Sequence, residues 1–484
     1  MIYRLLCDQA SRRPENVAIA GELSSLTYSQ LLRDVKKAAA HLETIELKED
    51  ESILLGIPPC PELYVVFYAA SALGVTLVPV LPSERIPLPL LKLNPAVAIG
   101  QESFLSQAKQ SFPNLRNLLV WNRASGLRYP DPPHDFQQRK CIRKEPVLAL
   151  SSSGTTGIPS IHYRSGEVTV ERAKVRARIL GIIAEDVMLA TRPFNNGSSF
   201  NNYVVTPLVA GCKVVVREKF QRFTTIEAVA QEKITILYAV PFIFELLASL
   251  PLDYRADLSC VRLCVAVGAP LSRAVWQSFY DRYGISIRQV YGASQVAPLF
   301  TYSPPDVPGA VGHVSAPFPM AVLGDRQEVL GPDEIGELAF DYSQLSYTWK
   351  KFFEHKPNRF GKYLLTGDLG KADADGNLYV VGRKSRFIKV GGNRVEPAEV
   401  EDVLRSHPLV TEALVYALNP GQSDEAVAAV IVPAAELTVE DVLRHCARRL
   451  DGYKCPRKIE FRNELQRNAH GKVIRHLFEG SGEI

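Results

Sequence analysis

No CxxC pair occurs among the eight cysteines, Cys7, Cys60, Cys141, Cys212, Cys260, Cys264, Cys446 and Cys455. Cys260 and Cys264 are nearest to one another, and no second pair or neighbouring histidine completes a zinc set with them. The cysteines therefore read as reduced thiols of a cytoplasmic protein. An excess of one charge is also missing. The 56 Lys and Arg against 52 Asp and Glu leave a net charge of +4, too mild to argue for nucleic acid. No apolar leader opens the chain, because Arg4, Asp8, Arg12 and Arg13 interrupt it, so no secretory signal is expected. Repeats and low-complexity tracts are absent. One uncharged run, from Leu63 to Leu81, is long enough in principle to span a bilayer. Gly74 and Pro79 punctuate it, and residues 75–80 are rich in β-branched side chains. The run reads instead as a buried helix over 62–73, a glycine stop and a buried strand, with no membrane association.

What is present is an ordinary globular balance, 46% hydrophobic and 22% charged over 484 residues, enough for two to four folding units. Apolar strand patterns at 187–191, 213–217, 235–239, 262–267 and 286–290 alternate with helical stretches at 224–231, 241–247 and 272–283. That alternation predicts a parallel sheet covered by helices. Residues 309–341 differ: glycines, prolines and short alternating runs at 320–323 and 336–340 predict a small β unit. Past Gly382 a basic stretch (Arg383, Lys384, Arg386, Lys389) leads into Gly391 and Gly392. A helix over 397–406, a strand pair at 412–418 and 426–432 and a helix over 439–450 are expected to follow. The fold class is α/β. A large N-terminal domain over 1–381, with two α/β lobes and the small β unit, joins a small mobile α+β domain over 387–484 through a hinge at 382–386.

A strand pattern ending at Leu150 runs into Ser151, Ser152, Ser153, Gly154, Thr155, Thr156 and Gly157. Glycines permit tight turns, exposed N–H groups form an anion nest and hydroxyls add donors, so this loop suits a phosphate. It is not a P-loop, because no Gly-Lys-Ser/Thr follows; by itself it reads equally as a surface loop. Residues 153–159 resemble the phosphate loop of the adenylate-forming superfamily: acyl- and aryl-CoA synthetases, nonribosomal peptide adenylation domains and luciferases. Further stretches are similar to that family's motifs in the same order: Leu26-Thr27-Tyr28; Gly268-Ala269-Pro270-Leu271-Ser272; Tyr291-Gly292-Ala293-Ser294; Thr366-Gly367-Asp368; Gly382-Arg383 with 388–399; and Gly471-Lys472.

The resemblance implies a ligase that uses ATP and Mg2+ to turn a small carboxylic acid into an acyl-adenylate and passes the acyl group to a thiol. It assigns ATP or AMP to Ser153, Gly154, Thr155, Thr156, Gly268, Ala269, Pro270, Tyr291, Gly292, Ser294, Asp368 and Arg383. Asp368 would accept both ribose hydroxyls, and Lys472 would be the catalytic residue, stabilising charge on the α-phosphate and orienting the carboxylate. Gly391 and Gly392 would line the thiol tunnel, and Ser385 would be the hinge. Asn195 and Asn196 follow the strand pattern at 187–191, and Asn196 stands where amino-acid-activating members carry an aspartate. An amide cannot pair with an ammonium as a carboxylate does, which argues against an ordinary α-amino acid and is compatible with an aryl acid or a short acyl group; Tyr238, Phe242 and Val267 are further candidates for the pocket, although apolar residues there are more often plain core.

Three departures from the family pattern stand out. Ser160 replaces the phosphate-loop lysine, a loss of about 1.5–3 kcal/mol for a charged donor, for which His162 or Arg164 could partly substitute. Gln295 replaces the magnesium-holding glutamate and offers only a carbonyl oxygen. Ser385 replaces a charged hinge residue. The first two open a second reading, a degenerate ligase fold acting as a partner protein of a carrier-protein pathway. The chain ends at Ile484, shortly after Lys472, so the acceptor is expected from outside: coenzyme A, or phosphopantetheine on a separate acyl carrier protein. Arg444, Arg448, Arg449, Lys454, Arg457 and Lys458 could meet either, or form a solvated face.

Overall fold

The computed structural model describes residues 1–48, 51–82, 86, 88–127, 136, 148–151, 161–190, 192–195, 197–218, 220–251, 254, 257–269, 271–292, 301–302, 307–314, 319–344, 359–384, 388–390, 393–419, 425–467 and 473–474. The backbone forms two compact units, one of Met1–Ala239 with Ser249–Val265, the other of Val240–Ala248 with Ala266–Ile484.

The first unit carries two sheets. In one, the strands Asn117–Asn122, Pro95–Gly100, Ser52–Gly56, Thr76–Pro79 and Leu148–Ser151 lie side by side in parallel, and antiparallel strands Gly126–Leu127 and Ile161–Arg164 close its edges. The uncharged run is resolved as the helix Pro61–Leu73, Gly74 in left-handed backbone, and the strand Thr76–Pro79. The helix is buried on nearly all sides, which explains its lack of charge. Among the described residues no helix is long and apolar enough to cross a membrane.

The second sheet includes, in order, Ile236–Ala239, Val187–Ala190, Lys213–Val216, Val17–Ala20 and Ser25–Thr27. Of these, all but the last are parallel, as the alternating pattern predicts. Its connections are buried by helices, among them Gly166–Ile179 and Arg222–Gln231.

In the second unit the helices Pro241–Ala248 and Arg273–Tyr283 pack through Phe244 and Phe279, whose rings meet edge to face at 5.3 Å. Ser272 is the N-cap rather than a helical residue: its hydroxyl accepts from Val275 N. The small β unit is larger than the sequence pattern indicated. The strands Gly312–His313, Asn377–Arg383, Tyr363–Ala372, Gly336–Asp341 and Met320–Leu323 form one antiparallel sheet. Beyond it, Val410–Leu418, Ala426–Pro433 and Lys458–Phe461 form a three-stranded sheet with the helices Pro397–Arg405 and Val439–Ala447. Val400, Leu404, Val415, Val427, Ile431 and Val442 make its core.

Candidate active site

The strand Ile287–Tyr291 ends with the phenol of Tyr291 donating to Asp368 Oδ2 at 2.6 Å. Asp368 is only 5% exposed, yet it lies at a strand position paired in register with Arg383 on the neighbouring strand. The three residues of the Thr366-Gly367-Asp368 motif build this position together. Thr366 Oγ1 donates to Leu338 O at 2.7 Å and accepts from Asp368 N at 3.1 Å. Gly367 has φ 75, a conformation that a side chain disfavours, and its N–H donates to Glu337 Oε1 at 3.1 Å. The other carboxylate oxygen of Glu337 pairs with Lys384 Nζ at 2.8 Å. Glu337 thus ties the motif to the residue after Arg383. Sequence reading missed it, because a glutamate opening a short strand carries no local signal.

The turn after Val267 has a comparable support. Val267 is buried and Gly268 has φ 84. Gln289, 6% exposed, donates from Nε2 to Ala269 O at 3.2 Å and accepts from Leu271 N through Oε1 at 3.2 Å. One buried amide thereby ties down the backbone on both sides of Pro270. Gly382 packs against the Glu396 carboxylate so tightly that a Cβ there would overlap it.

The residues expected in the acid pocket fall in the first unit, apart from Val267 and Phe242. Phe194 follows the strand Val187–Ala190 and meets Tyr64 edge to face at 5.7 Å and Tyr203 at 5.8 Å. Asn195 Oδ1 is buried with no hydrogen-bond partner. Tyr238 is fully buried; Tyr203 donates its hydroxyl to Tyr238 O, and the two rings meet edge to face at 6.3 Å. Burial pushes the Tyr238 phenol up, against the pull of Arg176 and Arg192. Phe242 lies under Arg467, whose guanidinium sits 4.0 Å from the ring centroid.

Ser153, Gly154, Thr155, Thr156, Ser160, Asn196, Pro270, Ala293, Ser294, Gln295, Ser385, Gly391, Gly392 and Lys472 lie outside the described residues, as does the side chain of Arg383. Gly292 is described and exposed. Among the described residues no group of three or more His, Cys, Asp or Glu side chains is arranged to hold a metal ion.

The buried Asp368 carboxylate, anchored at a strand end by a phenol, offers acceptor positions for hydroxyl groups. Comparisons with known proteins identify the family. The model of the AMP-binding enzyme family matches residues 6–346 and that of the AMP-binding enzyme C-terminal domain matches 399–472. The indoleacetate–CoA ligase of Aromatoleum aromaticum is 26% identical over 96% of this chain and 94% of its own. The 2-succinylbenzoate–CoA ligase of Bacillus thuringiensis is 27% identical over 97% and 96%. The anthranilate CoA ligase AuaEII, solved with anthranoyl-AMP, superposes with a TM-score of 0.84 at 23% identity, covering 98% of this chain and 96% of that one. The chain belongs to the AMP-binding enzyme family, within the adenylate-forming superfamily, and is an acid–thiol ligase of that kind.

Proposed function

We propose that the chain uses ATP to activate a small aryl or short acyl acid, releases pyrophosphate, and transfers the acyl group from the acyl-adenylate to coenzyme A. The observation that carries the reading is the Tyr291–Asp368 pair, a buried carboxylate anchored by a phenol, which on this reading accepts the two hydroxyls of a ribose. The relatives named as CoA ligases support coenzyme A as the acceptor.

ATP supplies the α-phosphate that the carboxylate attacks, with Mg2+ offsetting the charge of the leaving pyrophosphate. The chain's own residues do the rest. Asp368 and Arg383 hold the ribose, the turn at Gly268, Ala269 and Pro270 faces the adenine, and Ser153, Gly154, Thr155 and Thr156 nest the phosphates. Lys472 steadies charge on the α-phosphate and orients the acid. Gln295 would offer Mg2+ one carbonyl oxygen in place of a carboxylate. Gly391 and Gly392 let a pantetheine arm approach the backbone, after the part of the chain past the hinge at 382–386 has turned for the second half-reaction.

Pyrophosphate exchange into ATP, measured across aryl, short-chain, long-chain and amino acids, tests the reading. Exchange that depends on one class of acid and falls roughly 10²- to 10³-fold in Lys472→Ala is expected, the size of losing one transition-state donor. Acyl transfer is then followed as thiol consumed, with coenzyme A against a carrier protein. A folded protein that binds ATP but gives no exchange with any acid overturns the ligase reading in favour of a partner protein.

A further inference from the structure

The backbone that leads to Lys472 is tied down at a bridge. Arg467 and Val473 pair antiparallel, and Ile474 N donates to Gln466 O at 2.9 Å. Val473 and the buried Leu465 pack with Leu414, Tyr416 and Val430 of the three-stranded sheet. Lys472 is one peptide bond from this bridge, so whatever holds the bridge also limits the reach of that lysine.

Arg467 is itself held twice. Its guanidinium donates to the Glu412 carboxylate on the strand Val410–Leu418, with both side chains largely out of water. The same guanidinium lies 4.0 Å from the centroid of the Phe242 ring. A planar guanidinium can stack its face on a ring while its edge donates to a carboxylate. Phe242 stands near the start of the helix Pro241–Ala248, and Glu245 follows three residues later on the same face. The charges that act on Glu245 are those of Glu412, Arg467 and Arg405. Burial, then repulsion from Glu412, pushes its carboxyl up, against the pull of Arg467 and Arg405. One helix face thus meets Arg467 with a ring in contact and a carboxyl nearby. All of these residues belong to the second unit. Phe242 and Glu245 precede the hinge proposed at 382–386, whereas Glu412, Arg467 and Val473 follow it. When the part past the hinge turns, Arg467, Glu412 and the bridge travel as one piece, and the contacts with the helix are the ones that break.

We propose that Arg467 is a positioning residue for acyl-adenylate formation: seated on Phe242 and braced by Glu412, it holds the Arg467–Val473 bridge where Lys472 meets the α-phosphate. This rests on the ligase reading, in which Lys472 steadies charge at that phosphate. Arg467 acts through Val473 and not on the reacting atoms. A cation on a ring face suits a contact that forms and breaks in every turnover, because its attraction does not depend on a directional hydrogen bond. The charge-assisted bond to Glu412 keeps the guanidinium oriented while the ring contact is open, so it returns to Phe242 already aimed.

Pyrophosphate exchange with the acid that the panel selects, benzoate and butyrate being the first aryl and short acyl probes, is compared in four variants of the full chain. These are Arg467→Gln, Arg467→Lys, Phe242→Leu and the double variant of Arg467→Gln with Phe242→Leu, each checked for folding by thermal unfolding. Arg467→Gln should lower kcat roughly tenfold or more, the scale of losing a desolvated cation on a ring, with the KM for ATP within a factor of about three. Arg467→Lys, which keeps a cation over the ring, should recover part of the loss. The double variant should be little worse than Arg467→Gln, since both substitutions undo one contact. Acyl transfer to coenzyme A from the separately prepared adenylate of the same acid should stay within a factor of about three, which a general loss of structure would not allow. A second measurement needs no acid: acetylation of Lys472 by acetic anhydride, read by peptide mass, with and without MgATP. MgATP should slow it roughly tenfold or more in the wild type, as a ligand at about ten times its dissociation constant does, and far less in Arg467→Gln. An unchanged kcat in Arg467→Gln, an equal loss in both half-reactions, an additive double variant, or protection kept in full by Arg467→Gln overturns the proposal. Protection absent from the wild type overturns it too, since nothing then places Lys472 at the nucleotide. Exchange with no acid at all sinks the ligase reading, and the protection ratio still decides whether Arg467 places Lys472.

Discussion

The phenol of Tyr291 reaches Asp368 across 77 residues of sequence, at 2.6 Å. It touches the carboxylate proposed to bind the ribose rather than the reacting atoms, so on that proposal its effect belongs to nucleotide affinity. Tyr291→Phe removes a bond to a charged acceptor, about 1.5–3 kcal/mol, or roughly ten- to a hundredfold. The KM for ATP should rise by that factor in pyrophosphate exchange, with kcat changed far less; an unchanged KM would assign the bond to packing. A second carboxylate, Asp186, makes a prediction about pH. Burial opposes its charge, but Arg262 Nε at 2.7 Å, Ile183 N at 2.9 Å and Thr235 Oγ1 at 2.6 Å outweigh burial and hold the carboxyl below its ordinary range. A depressed folded value stabilises the protein fully above the unfolded value, near about 3.9, and the contribution is lost as pH falls through the folded value. Asp186→Asn should therefore cost about 2 kcal/mol at pH 7 and less at pH 3, which lies below the unfolded value. Urea unfolding at the two pH values measures the difference, and an equal loss at both would remove the charge from the account.

At the scale of the element, Thr27 shows what a motif can mean. In sequence, Leu26-Thr27-Tyr28 resembles a family signature; in the structure it starts a helix. Thr27 Oγ1 accepts from Gln30 N, Gln30 Oε1 accepts from Thr27 N at 2.9 Å, and Tyr28 donates to Cys212 O at 3.1 Å. This is a capping box at the head of Tyr28–Glu43. Thr27→Ala should lower unfolding stability by about 1 kcal/mol, read as a shift in the urea midpoint with exchange kinetics unaffected. The cap's spacing is local, yet the sequence reading took the stretch only for a family motif. The wide helical turn at Asn201–Val205 was not legible. Its Tyr203 and Val204 carbonyls accept from Tyr64 and Tyr68, each at 2.9 Å, which stand 139 and 136 residues earlier. No local pattern encodes partners at that distance. The β unit was undersized in the sequence reading for a similar reason: Tyr363–Ala372 and Asn377–Arg383 join it by pairing that only the folded chain defines.

For the molecule as a whole, ligand binding and folding are linked. ATP at about a hundred times its dissociation constant should stabilise the full chain by about 2.7 kcal/mol, seen as a rise in the unfolding midpoint. Asp368→Ala should abolish most of that rise at the same ATP concentration. A rise kept in full by Asp368→Ala would remove Asp368 from the nucleotide site. The same measurement across an acid panel gives a view of the acid pocket that does not depend on turnover.

Sequence alone determined the alternation of strands and helices, the glycine stop at Gly74 and the order of the family motifs, because period and glycine position act over a few residues. It also named Asp368, Tyr291 and the turn at Gly268. Only the tertiary structure decided what supports them, Glu337 behind Gly367 and Gln289 behind Ala269, and laid Arg467 on Phe242. Arg164 was noted in sequence as a stand-in for a lost lysine, and Arg467 was not singled out. An arginine's role is set by what burial takes from it and what it meets in exchange, and neither is written in its neighbours along the chain.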